Sequence, residues 1–261
     1  MRQKALKEPK FCGIRLEIFR VRRYNISICA KRKEPSMKKI SRVMLTVAVV
    51  MAMFVASGCA RSGGGAEFDP AQSSIFIKKD GSVLSASVGH SEQNYYSEEE
   101  LKGFMETELA EFNASQGKEG AAYNQEGAEK LPAAIVSCKV EGADGQKVVK
   151  AILEYSSPEM LLALAGENRD GDIKLNSLAT DSVENRLAAG ELVGSSFVDD
   201  KGKAVDAGKI TSQSKLRVVS AQGPALIQTE GKVLYMSEGC TLADDYTVQT
   251  PEEGSSFIIF K

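Results

Sequence analysis

The chain has 261 residues, 43% of them hydrophobic and 26% charged, with one His, five Cys and no Trp; this is the composition of a globular protein, not a disordered one. Its formal charge of −2 divides unevenly: residues 1–58 hold 14 Lys+Arg against 3 Asp+Glu, and residues 59–261 hold 19 against 32. So acidic a main segment repels nucleic-acid phosphates, one His with scattered Cys makes no typical His/Cys zinc site, and 7% aromatics supply no large stacking platform for sugars.

In chain order, residues 1–36 come first, with 11 Lys+Arg, Cys12 and Cys29. A basic leader of that length does not suit the signal that follows it. Translation is therefore expected to begin at Met37, with 1–36 an upstream extension. Met37-Lys38-Lys39 opens a basic stretch ending at Arg42, and residues 43–55 are apolar except for Thr46. Thirteen residues fall short of the ~20 that cross a bilayer as a helix, but they match the apolar region of a secretory signal. The run closes on Ala56-Ser57-Gly58-Cys59.

This segment resembles the signal of a bacterial lipoprotein, with Ala56-Ser57-Gly58-Cys59 in the place of the lipobox and Ala56 where the family most often has Leu. The resemblance spans residues 37–60. It implies signal peptide 37–58, cleavage between Gly58 and Cys59, and a diacylglycerol on the Cys59 thiol. The implied partner is membrane lipid, and the implied location is the cell membrane, facing outside the cytoplasm. Residues 59–72 then read as a lipid-anchored tether, because Gly63-Gly64-Gly65 cannot pack. No Lys-Ser or Lys-Thr follows these glycines, so they are no phosphate loop.

Residues 73–261 are expected to form one extracytoplasmic α+β domain. Two alternating runs around Ile75-Phe76-Ile77 and Leu84, Ala86 and Val88 flank Asp80-Gly81, a hairpin signal. Ser97-Glu98-Glu99-Glu100 predicts a capping box, with Tyr96 and Leu101 placed for a hydrophobic staple. Leu101, Phe104, Met105, Leu109 and Phe112 then predict one apolar face of a helix over 98–115. Val136, Cys138 and Val140 predict one face of a strand. Asp144-Gly145 predicts its hairpin turn, and Val149, Ala151, Leu153 and Tyr155 the return strand. Ser157-Pro158 opens a short helix expected to end at Gly166. Hairpin-then-helix thus occurs twice, without close residue correspondence.

Further on, Asp181-Ser182-Val183-Glu184 is expected to cap a helix reaching Ala189. Phe197-Val198 and Ala204-Val205 flank a turn at Asp200-Lys201-Gly202. Short strands are expected at 216–220, 225–229, 232–237, 246–249 and 256–260, with a tight turn at Glu230-Gly231. The whole predicts an antiparallel sheet built from hairpins, with two or three helices packed on one face.

Candidate chemistry is sparse. His90, the one His, follows a strand, and no Gly-x-Ser-x-Gly elbow accompanies it. Cys138 and Cys240 are a candidate disulfide or two buried thiols. Asn168, Asp170 and Asp172 alternate as at the start of a calcium loop, but Gly171 is displaced and position twelve is Ala179. Asp199-Asp200 and Asp244-Asp245 read as turn residues, and Tyr95-Tyr96 as a weak stacking site. No catalytic residue, metal or cofactor is assigned. The expected role is a membrane-anchored binding or envelope-interaction domain with an unidentified ligand or protein partner. The alternatives are an envelope-polymer hydrolase using carboxylates and the solute-binding subunit of a transporter.

Overall fold

The computed structural model describes residues 67–91, 97–143, 147–168 and 170–261. The first hairpin forms as its turn residues dictate. β1 (Ser74–Ile77) and β2 (Val83–Ser91) pair antiparallel, and Gly81 takes the left-handed conformation (φ 90°) that the Asp80-Gly81 turn needs. α1 (Glu98–Ser115) starts at a complete capping box: Ser97 Oγ accepts from Glu100 N–H at 3.1 Å, and Glu100 Oε2 accepts from Ser97 N–H at 3.1 Å. Tyr96, its expected staple partner, lies outside the described residues.

The second hairpin is β3 (Ala133–Glu141) with β4 (Lys147–Tyr155); its Asp144-Gly145 turn lies outside the described residues. α2 (Pro158–Asn168) runs past Gly166, which stays helical and does not terminate the helix. β5 (Ser177–Ser182) leads directly into α3 (Val183–Ala188); within the stretch expected to cap it, the N-cap is Ser182, whose side chain accepts from Asn185 N–H. β6 (Phe197–Asp199), β7 (Ala204–Val205) and α4 (Ala207–Thr211) follow. The remaining strands are β8 (Arg217–Gln222), β9 (Leu226–Thr229), β10 (Val233–Ser237), β11 (Thr241–Asp244), β12 (Thr247–Gln249) and β13 (Ser255–Phe260). The α+β class holds. β5, α4 and β11 carry no strong local pattern and are seen only in the structure.

The strands build two sheets. One has the order β11-β12-β9-β1-β2-β4-β3, the other β5-β8-β13-β10-β6-β7. Pairing is antiparallel except between β1 and β9, which run parallel with Phe76 opposite Gln228. The Glu230-Gly231 turn joins strands of different sheets: β9 belongs to the first and β10 to the second. Its backbone passes so close to Lys261 that a Cβ on Gly231 would collide with the Lys261 carbonyl oxygen.

Three apolar layers follow from strand alternation. Ile75, Ile77, Val83, Ile135 and Ile227 of the first sheet meet Val219, Val233, Ile258 and Phe260 of the second, with Leu109 and Phe112 of α1 and Leu161 and Leu164 of α2 completing this core. The other face of the second sheet packs Val218, Tyr235, Phe257 and Ile259 under Val183 and Ile210 of the short helices. β13 is covered on both sides, which explains its unbroken apolar run Phe257-Ile258-Ile259-Phe260. Burying one such side chain contributes about 1.5–3 kcal/mol.

The outer face of the first sheet carries a smaller cluster, Phe76, Leu84, Ala86 and Ile152. Residues 67–72, read from sequence as the end of the tether, are fastened across this face. The Glu67 carbonyl accepts from Gln228 Nε2 at 3.2 Å on β9. Phe68 stacks on Phe76 of β1 with centroids 5.2 Å apart. Asp69 accepts from Lys150 Nζ of β4 at 2.6 Å. The segment thus straps four neighbouring strands.

β3 departs from simple alternation. Its register with β4 shifts between Ile135 and Ser137, leaving Val136 52% exposed while Cys138 is buried. The expected shared face of Val136 with Cys138 and Val140 is therefore corrected: a β-bulge removes Val136 from it, because one extra residue interrupts the two-residue period.

Candidate functional site

Gly58 and Cys59, the expected cleavage and lipidation residues, lie outside the described residues, as do Tyr95 and Tyr96. His90 is exposed near the end of β2, opposite Val148.

Cys138 and Cys240 are free thiols, the first buried and the second half-buried. Cys138 is on β3, one edge of the first sheet, and Cys240 directly precedes β11, the opposite edge. A disulfide needs Cα atoms within about 7 Å, and this topology keeps the two apart. Burial raises both thiol pKa values, with Glu98 adding to the effect at Cys138 and Lys102 opposing it.

The aspartates behave as turn residues. Asp170 Oδ1 accepts from Asp172 N–H at 2.9 Å, which closes a local turn. Asp199 Oδ1 accepts from the N–H groups of Lys201 and Lys203, both at 2.9 Å. Asp244 Oδ1 accepts from Tyr246 N–H at 2.8 Å. Lys232 Nζ lies 3.5 Å from Asp200 and 3.3 Å from Asp245, so one lysine at the β9–β10 turn joins the turns of both sheets. Among the described residues, no group of three His, Cys, Asp or Glu is placed to hold a metal ion.

The densest polar constellation was not legible as a site in the sequence. Lys78 Nζ meets Glu154 Oε1 at 2.6 Å; Lys130 Nζ meets the same oxygen at 3.3 Å and Asp80 Oδ2 at 3.0 Å. Asn124 Nδ2 donates to Glu154 Oε2 at 3.0 Å, and Ser82 donates to Asp80 Oδ1 through its hydroxyl at 2.6 Å and its N–H at 2.9 Å. Burial works against both carboxylates, but their partners outweigh it. Ser82 and then Lys130 hold Asp80 at about 2. Lys78 and then Lys130 hold Glu154 below its usual value. The Lys130 ammonium is likewise opposed by burial yet pushed up by Asp80 and Glu154.

Two cations and two anions make this cluster neutral. Acid–base hydrolysis of a glycosidic bond needs one carboxyl kept protonated by its surroundings, and here both are driven to the ionised form. The cluster does a structural task instead: it pins the loop after α1 to the first hairpin.

An open surface hollow of about 370 Å³ is lined by Ser195, Ser196, Ser237, Glu238, Gly239 and Ser255. It forms where β6 and β10 pair at Phe197 and Ser237 and the start of β13 comes alongside. Ser237 Oγ is already engaged by Phe257 N–H at 2.8 Å, and Glu238 N–H donates to the Ser196 carbonyl at 2.9 Å. The remaining hydroxyls offer hydrogen bonds to a polar ligand without an apolar wall to enclose it. Serines spread over 60 positions carry no local signal, which is why the sequence does not reveal the hollow. No family model, curated protein or solved structure matches this chain.

Proposed function

We propose that the chain is a lipoprotein displayed outside the cytoplasm on an acylated Cys59, and that its folded part serves in binding or envelope interaction and not in catalysis. The observation that carries this is the order of segments: a basic stretch, thirteen largely apolar residues and Ala56-Ser57-Gly58-Cys59, then a Gly-rich stretch, then a folded domain in which the Glu67 carbonyl is already held by Gln228. Among the described residues no helix is long and apolar enough to cross a membrane; in this reading the acyl chains supply the attachment, at ~0.8 kcal/mol per buried CH₂. The neutral, fully ionised Lys78–Glu154–Lys130–Asp80 cluster supports the non-catalytic half.

Two measurements test it. Fatty-acid labelling and intact mass of the chain recovered from bacterial membranes should give a mature protein that begins at an acylated Cys59, and Cys59→Ser should abolish the label. A mature chain beginning elsewhere and free of lipid overturns the anchor. A thermal-shift panel of muropeptides, glycans and peptides reads the second half: a ligand at 100 times its Kd stabilises by ~2.7 kcal/mol. Turnover of an envelope polymer by the purified chain overturns the non-catalytic reading.

A further inference from the structure

We infer that the serine-lined hollow where Ser195-Ser196, Ser237-Glu238-Gly239 and Ser255 meet is a binding site for a small hydroxylated primary amine, of the chemical kind of an amino sugar. This names a ligand class for the binding role proposed above and rests on that reading; it does not depend on the lipid anchor.

The sheet brings three distant turns together. Phe197 of β6 stands opposite Ser237 of β10, which sets Ser195-Ser196 beside the Glu238-Gly239 turn, and β13, the other neighbour of β10, begins at Ser255. Short side chains keep the space open: Gly194, Gly239 and Gly254 each have nothing within 4 Å of an added Cβ. The volume of about 370 Å³ is at the lower end of the ~300–1,000 Å³ of small-molecule sites, so it suits a small ligand. One polar group on the wall is left unfinished. Ser237 is 7% exposed, and its Oγ accepts from Phe257 N–H at 2.8 Å, but no described residue takes its hydroxyl hydrogen. A buried donor without an acceptor is costly, and a ligand oxygen in the hollow supplies one.

The lining also fixes the ligand's charge. Residues 190–196, 237–240 and 251–255 hold Glu191, Glu238, Glu252 and Glu253 and no Lys or Arg. Glu191 is taken by Arg186; Glu238, Glu252 and Glu253 are exposed and make no ion pair among the described residues. Glu238 itself lines the hollow, so an anionic ligand is repelled and a cation drawn in. An ammonium carries three donors and no acceptor, which suits one carboxylate flanked by hydroxyls. A hard metal ion wants six or more oxygens, several of them carboxylate, and only one carboxylate lines this wall. The Ser195, Ser196 and Ser255 hydroxyls make no hydrogen bond among the described residues, and each can donate to or accept from a ligand hydroxyl. The lining has no aromatic ring on which a neutral sugar would stack, so the ammonium and the hydroxyls together carry recognition.

The test is NMR of the full chain in detergent, labelled with nitrogen-15 glycine and titrated with D-glucosamine at about pH 6, where the amine is protonated. The amide signals of Gly194, Gly239 and Gly254 should move together with a Kd on the order of 1 mM, while Gly117, which follows α1, stays in place. D-glucose has the hydroxyls without the charge and n-butylamine the charge without the hydroxyls; each should bind about tenfold more weakly or worse. Glu238→Gln leaves the backbone bond from residue 238 to Ser196 intact; it should weaken glucosamine about tenfold with an unchanged melting temperature. Glycine signals that do not respond to glucosamine overturn the site and leave the binding role to another surface. Glucose or butylamine binding as tightly as glucosamine overturns the ligand class, and an unchanged affinity in Glu238→Gln overturns the part given to its carboxylate. Consumption of glucosamine in the same sample overturns the non-catalytic reading itself, so the two failures are told apart.

Discussion

The Asn113 side chain makes both hydrogen bonds of the Ala133 backbone. Its Oδ1 accepts from Ala133 N–H at 2.9 Å, and its Nδ2 donates to the Ala133 carbonyl at 2.7 Å. A second Nδ2 bond goes to the Ala121 carbonyl at 2.7 Å. Asn113 is fully buried and stands where a neighbouring strand would lie along the β3 edge. The Ala122 carbonyl accepts from Ile135 N–H and Glu98 Oε2 accepts from Val140 N–H, so α1 and its following loop occupy the edge at three points. An edge so engaged is withheld from pairing with another chain.

Replacing Asn113 with Leu should therefore destabilise the domain by about 3 kcal/mol, since two buried backbone groups of Ala133 and the half-buried Ala121 carbonyl lose their partner at ~1–3 kcal/mol for each buried one left unsatisfied, with partial relaxation. Urea denaturation followed by circular dichroism reads this. A loss under 1 kcal/mol would mean that water replaces the amide.

Gly231→Ala should be among the most damaging single-methyl additions in the chain. The new Cβ meets the Lys261 carbonyl oxygen, a backbone atom that cannot step aside as a side chain would. A cost of roughly 3 kcal/mol or more is expected. Gly89→Ala is the control, because nothing lies within 4 Å of its added Cβ; it should stay within about 1 kcal/mol. Comparable melting temperatures for the two variants would refute the close approach.

Acid should weaken the first hairpin through Asp80. Its folded pKa, about 2, is below the usual 3.8, so its contribution is complete above pH 4 and is lost as pH falls from 4 to 2. The side chain is 57% exposed, and after allowance for solvent screening the effect is about 1 kcal/mol. Lys130→Met should remove part of it. The stability gap between wild type and variant should close as pH approaches 2, measured by urea titration at each pH.

Thiol chemistry tests the cysteines. Burial raises both pKa values, so a disulfide-exchange reagent at pH 8 should react more slowly than with a model thiol, and with half-buried Cys240 before buried Cys138. Reductant should leave the melting temperature unchanged. A drop on reduction would demonstrate a bridge.

What sequence alone determined here is what neighbouring residues settle among themselves. Asp80-Gly81 bends because Gly accepts positive φ; Ser97 and Glu100 start α1 because each satisfies the other's backbone N–H; alternation marks most strands, and together these yield the α+β class. The same local grammar underlies the proposal that residues 37–59 are an export and lipidation signal, a property that would be read by cellular machinery and not by the fold. Partnership between distant segments was decided only in the tertiary structure. The division into two sheets, the parallel β1–β9 pair, the bulge at Val136, the Asn113 contact with Ala133 and the meeting of Lys78, Lys130, Asp80 and Glu154 all join residues whose separation in sequence carries no pattern. They arise because each apolar strand face must be covered and each buried polar group must find a partner, and those demands are met only when the whole chain packs at once.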